Sequence, residues 1–371
     1  MTDIKDKKIN PYDPFDNPTE NCAYRTNYCD IEPKIKEQGY KLPLLPERNE
    51  RKNIRHYFNI AGLGLLLGAV GVNILFFIVS FVLEFAMTGS FDYDNMLDAE
   101  NYMNYDSSIL MALNGLMFLI VNLIPAILGS RLTGIRIRSY FRPMETKKSQ
   151  LAKYMLMGIF IQAATGILYT IVESIMSAGG INDYNADIDT YVSTKAVIVT
   201  ALYTCIVAPI TEELLYRGFV MKNLSRVSQR FGIIASAALF GLAHENIAQF
   251  LLAMPVGIFL GRIVMKHNSL IPSILVHMAV NTMSFGMNWL FTEIPDFGVG
   301  AVVLSLSNIF YYMVAISGLV FWIMEVRRTR LPANTLRQSL RGMRIALTSP
   351  LLIAAAVFHI GMALLAIAMQ N

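Results

Sequence analysis

The sequence predicts an all-α fold, a polytopic bundle of transmembrane helices, and three observations carry that reading. Of the 371 residues, 54% are hydrophobic and only 16% are charged, whereas a soluble domain carries about a quarter charged residues; mean hydropathy is +0.45. The charges cluster, leaving uncharged runs near the ~20 residues a helix needs to cross the hydrocarbon. The polar segments between the runs alternate in sign. A net charge of +4 does not argue for nucleic acid, because most basic residues flank apolar runs, where topology accounts for them. No nucleic-acid partner is expected; membrane lipids are the expected surroundings, in a multi-pass protein of the cell membrane.

Taken in order, residues 1–56 are polar and contain Pro11, Pro14, Pro18, Pro33, Pro43 and Pro46. They read as a largely irregular cytoplasmic tail with a short helix near 33–39. Cys22 and Cys29 in this tail, with Cys205 further on, match no zinc or redox spacing. The first apolar run starts near Tyr57, so no signal peptide is expected. Residues 57–371 form the membrane domain, with apolar segments at 57–87, 108–130, 151–177, 195–222, 231–247, 248–265, 269–291, 299–325 and 349–370. The 231–247 and 248–265 pair is short and reads either as two spans or as a re-entrant hairpin, leaving eight or nine spans. The Arg-rich linker 326–348 reads as a short amphipathic helix at the lipid surface. Oligomeric state is not legible.

Orientation follows from the loops. Asp92, Asp94, Asp98, Glu100 and Asp106 follow the first segment, and Asp183, Asp187 and Asp189 follow the third. Arg131, Arg136, Arg138, Arg142, Lys147 and Lys148 follow the second, Lys222, Arg226 and Arg230 the fourth, and Lys266 and Arg327 to Arg344 fall on the same side. By the positive-inside rule the N-terminus is cytoplasmic and the C-terminus is outside.

Ionisable groups in these apolar runs mark a functional site by default. Glu212, Glu213 and Arg217 lie in the fourth segment, His244 in the fifth, and His277 and Asn281 in the seventh. Glu212 lies 14 residues before Arg226, His244 lies 14 after Arg230, and His277 lies 11 after Lys266. At about 1.5 Å per residue, all three fall roughly 16–21 Å from the basic side. Glu213 and Arg217, four apart, share a helix face and can pair. Glu212 is rotated about 100° away and can face a cavity alone. His277 and Asn281 project side by side, and Phe240 sits one turn from His244.

A carboxylate and an imidazole that converge can hold and deprotonate a water molecule. A second imidazole and an amide can donate hydrogen bonds to the oxyanion of a tetrahedral intermediate, at about 3–4 kcal/mol each in a dry site. No Ser or Cys lies in a nucleophile motif, and Gly-x-Ser-x-Gly is absent; Cys205 reads as an inert buried thiol.

Glu212-Glu213-Leu214-Leu215-Tyr216-Arg217-Gly218, Phe240-Gly241-Leu242-Ala243-His244 and His277-Met278-Ala279-Val280-Asn281 resemble the three motifs of the CAAX-protease and bacteriocin-processing family, the Abi family, to which CAAX prenyl protease 2 belongs. The resemblance covers roughly residues 195–290, the expected protease core. It implies a helical intramembrane endopeptidase with a conical, cytoplasm-facing cavity. It also implies Glu212 and His244 as the water-activating pair, His277 and Asn281 as the oxyanion site, and Glu213 and Arg217 in support. Glu245-Asn246 depart from the pattern, which commonly has an apolar residue after the histidine. A glutamate and two histidines can also hold a catalytic zinc, here through Glu212, His244 and His277. However, His-Glu-x-x-His is absent and Asn281 suits an oxyanion role. A metal-free, glutamate-type mechanism without a cofactor is therefore expected, with a zinc metalloprotease as the alternative.

The expected substrate is a lipidated or membrane-anchored protein or a peptide precursor. The alternative function is a non-proteolytic membrane scaffold or bacteriocin-immunity protein that retains the motif. An ion-coupled transporter would need broken helices in an internal repeat, and the sequence contains no repeat. Glu84, Glu173 and Glu325 read as interfacial, and Gly and Ala in the first, fifth and sixth segments as close-packing positions.

Overall fold

The computed structural model describes residues 46–89, 107–143, 147–180, 194–326 and 335–370. Among these residues the regular structure is entirely helical, and the protein is a multi-pass membrane protein. The expected helix at 33–39 and the acidic residues of the first and third loops lie outside the described residues. The helices are α1 (Pro46–Thr88), α2 (Ser107–Leu132), α3 (Lys148–Ala178), α4 (Thr194–Leu224), α5 (Gln229–Leu242), α6 (Ile247–His267), α7 (Ile271–Glu293), α8 (Val299–Val326), α9 (Thr335–Ala346) and α10 (Pro350–Gln370).

Two boundaries differ from expectation. Residues 46–56 are the first turns of α1, so the irregular tail cannot extend to 56; Pro46 opens the helix, where its missing N–H costs nothing. The 231–265 region is a hairpin of unequal arms. α5 has 14 residues, about 21 Å, too short for a ~30 Å hydrocarbon core. α6, with 21 residues, is long and apolar enough to span. Among the described residues seven helices meet that standard, fewer than the eight or nine expected. Besides α5, the exception is α7, which is 23 residues long but carries His277, Asn281, Ser284 and Asn288 on the cavity, and these lower its hydropathy.

The break between α5 and α6 is built by Glu245 and Asn246. Glu245 adopts φ +58°, a left-handed conformation uncommon for a non-glycine residue. Asn246 then caps α6, its side chain accepting the Gln249 backbone N–H at 2.7 Å. His244 therefore sits in a turn, not inside a helix. Asn268, at φ +47°, ends α6.

α4 is the central element. It contains two π-helical stretches, Tyr203–Val207 and Glu213–Val220, which flank Glu212. Such insertions widen the turn and recur at functional sites. Beyond Arg217 the helix is buried to its end: Phe219, Val220, Asn223 and Leu224 are inaccessible. The Phe219 ring lies between Gly64 of α1 and Gly129 of α2, where a Cβ at either position would strike it. Basic side chains here are packed, not solvated. The Arg226 guanidinium lies 3.7 Å from the Tyr57 ring centre and donates to the Thr133 carbonyl at 3.0 Å. Lys222 Nζ sits 4.9 Å from the Tyr140 ring. The expected amphipathic linker helix is α9, tied to α1 by Arg341–Glu50 at 2.8 Å.

Candidate active site

The site is assembled from α4, the α5–α6 turn and α7. Glu213 is fully buried, and its Oε1 forms an ion pair with Arg217 Nη1 at 2.9 Å. The guanidinium in turn lies 4.3 Å from the Phe240 ring centre. It also fills a slot beside Gly257 of α6, where a Cβ would come within 2.9 Å of Nη2. A buried charge needs such a set of partners to be tolerated. The same Glu213 oxygen accepts from His277 Nδ1 at 3.1 Å. That bond turns the ring so that Nε2 lies 3.7 Å from Glu212 Oε2, because holding one ring nitrogen sets the direction of the other.

His244 is oriented by its own turn. Its Nδ1 is 2.9 Å from the Phe240 carbonyl oxygen. A carbonyl only accepts, so Nδ1 carries the proton, and in the neutral ring Nε2 is left as an acceptor. Both imidazoles stand edge-on to Phe240, with ring centres 5.0 Å (His244) and 5.9 Å (His277) away. Asn281 Nδ2 donates to the Thr204 carbonyl at 3.0 Å, in the first π-helical stretch of α4. The amide has a second N–H to give.

Glu212, His244, His277 and Asn281 line one cavity of about 760 Å³. Glu213 and Arg217 lie behind them and do not line it. Glu212 pairs with His277 instead of His244, so the expected water-activating pair meets across the cavity without direct contact. Among the described residues no three His, Cys, Asp or Glu side chains gather as a metal cage. Cys205 is a free thiol and lies outside the lining.

One residue of the site was not anticipated. His359 of α10, 4% exposed, meets Glu245 Oε1 through Nδ1 at 3.0 Å, and both residues line the cavity. The available signal was a third histidine in the middle of an apolar run, matched by an unexpected acid beside His244.

Residues 194–283 match the family model described as type II CAAX prenyl endopeptidase Rce1-like. The Rce1-like segment begins at the first residue of α4 and ends two residues past Asn281, so all four cavity-lining candidates lie inside it, whereas His359 lies outside. The chain is also 26% identical over 137 residues, 34% of its length, to the UPF0177 protein YxdF of Lactococcus lactis subsp. lactis (strain IL1403), of which the match covers 72%. No solved structure matches.

Proposed function

We propose that the chain is an intramembrane endopeptidase of the glutamate type, hydrolysing a peptide bond of a lipidated or membrane-anchored protein or peptide precursor. The observation that carries this reading is the convergence of Glu212, His244, His277 and Asn281, from three separate elements, on one cavity. A water held between Glu212 and the acceptor Nε2 of His244 loses a proton to Glu212 as its oxygen attacks the scissile carbonyl. The second Nδ2 hydrogen of Asn281, joined by Nε2–H of His277 when that ring is protonated on both nitrogens, donates to the oxyanion that forms. Collapse of the intermediate passes the proton from Glu212 to the departing amide nitrogen, so one water yields one carboxyl and one amine terminus. Glu213, anchored by Arg217, holds His277 in place, and no step needs a metal.

The test compares new protein N-termini, by mass spectrometry, in membranes from cells carrying the wild-type chain or Glu212→Gln. Termini present only with the wild type are expected and would name the substrate. An identical set in both would overturn the reading and favour a scaffold.

A further inference from the structure

The Rce1-like segment does not hold every titratable group that faces the cavity. His359 of α10 and Glu245 of the α5–α6 turn both line it. His359 lies outside the matched segment, and Glu245 stands where the family pattern commonly has an apolar residue. α10 places Leu352, Ala355 and His359 at spacings of three and four, which share one helix face, and all three are buried. The start of this helix is fixed to α1. The Leu351 N–H donates to Asn59 Oδ1 at 3.1 Å, and Gly62 leaves no room for a Cβ against the Leu351–Leu352 backbone. From Leu351 to His359 the helix rises about 12 Å, so the imidazole stands on an anchored rod.

The turn that carries His244 is tied at three places. On the α5 side His244 Nδ1 meets the Phe240 carbonyl at 2.9 Å, and on the α6 side Asn246 Nδ2 donates to the His244 carbonyl at 3.2 Å. Both bonds stay within the hairpin, so they let it move as one body. The third tie leaves the hairpin: His359 Nδ1 lies 3.0 Å from Glu245 Oε1. An ionised carboxylate only accepts, so Nδ1 is the donor. Glu245 holds φ +58°, a conformation that glycine adopts freely and other residues adopt at a cost. Residues held this way persist where their surroundings fix them, and they gather at active sites. A glycine would make the same turn with less strain but would leave His359 without its acceptor. It is the side chain, not the backbone, that accounts for a glutamate here.

We propose that His359 is a positioning residue of this site: by donating to Glu245 it locks the turn that aims His244 into the cavity, so that α10 completes a site the Rce1-like segment alone leaves loose. The effect on cleavage rests on the proposed protease reading; the placement of His244 does not. His359 acts through Glu245 and the backbone of the turn and takes no part in the proton transfers.

The test uses the full chain in lipid bilayers, labelled with nitrogen-15 at histidine only. The five histidines are assigned by single substitution, and solid-state NMR reads their ring nitrogens. His359→Leu, which keeps the apolar face of α10 but removes the donor, is expected to shift and broaden the His244 signals while those of His56 and His267 stay in place. Glu245→Gly should do the same, and the double change should add nothing, as for two ends of one interaction. Glu245→Gln keeps a carbonyl oxygen for Nδ1–H and is expected to recover the wild-type His244 signals, which separates loss of the tie from mere adjacency. In cells, wild-type-specific N-termini should fall roughly tenfold or more with His359→Leu and Glu245→Gly, since a misplacement of about 1 Å can cost about 100-fold, and Glu245→Gln should restore most of them. Glu245→Gly also relieves the left-handed strain, so its melting temperature should hold while cleavage falls; a purely structural contact would lower both together. Unmoved His244 signals in His359→Leu, or cleavage that falls only in proportion to folded protein, would overturn the proposal. If His359→Leu depletes the protein, the two Glu245 variants, which leave α10 intact, decide by the same criteria. Should the His244 signals move while Glu212→Gln changes no N-terminus, the positioning role stands and the protease reading falls.

Discussion

The two ends of the bundle bury polar side chains for opposite reasons. At the basic end Arg226, Lys222 and Asn223 are almost wholly enclosed, and each has a partner: an aromatic face, a backbone carbonyl or both. Single atoms there, Ser225 Oγ and Arg226 Nη1, make no hydrogen bond, but none of these residues lines the cavity. At the other end the cavity keeps Thr200 and Gln162 atoms without partners and an Asn281 amide only half used. Glu213 and Arg217 stand at the border, charged and buried like the basic end, yet one of them orients a cavity histidine. Buried polar groups in this chain therefore mark a site where they also line the cavity, and scaffold where they are packed away from it.

Changes at the border and in the cavity break this contrast in different ways. The largest effect is expected from Glu212→Gln, a near-isosteric change that removes the proposed base: wild-type-specific N-termini should vanish in the proteomic comparison while the amount of protein in the membrane stays unchanged. Next, Arg217→Met should unfold or deplete the protein, since removing one member of a buried pair costs about 3–5 kcal/mol. Thermal unfolding in detergent would show the loss, and the double change Glu213→Gln with Arg217→Met should recover part of the stability but not the cleavage. A smaller loss is expected from Gly257→Ala, whose Cβ meets the guanidinium; about 1–3 kcal/mol of overpacking is typical and would appear as a lower melting temperature. His359→Gln should leave melting nearly unchanged but reduce cleavage, because Glu245 and the turn carrying His244 lose one tie. The smallest effect belongs to Lys266→Met: its pair with Glu325 at 2.7 Å is half-exposed and should contribute less than about 1 kcal/mol to melting.

Much of the site was legible in the sequence. Glu213 and Arg217 do pair, as their spacing of four allows, and Glu212, His244 and His277 line one cavity. What spacing could not show was partnership between segments. The Glu212–His277 approach depends on the side of α4 that α7 packs against, and two π-helical stretches alter the rotation along α4 that an ideal helix would assign. His359 was invisible as a site residue because α10 is remote in sequence from the motifs, and only packing brings it to Glu245. Glu84, read as interfacial, is buried, which a segment-end position did not reveal.

By itself the sequence determined the class of fold and the set of polar residues within its apolar runs, because apolar length and charge are local properties of the chain. Only the tertiary structure decided which imidazole faces which carboxylate and that α10 brings His359 to Glu245. Those depend on how helices rotate and pack against one another, and packing is a relation between surfaces that no single segment contains.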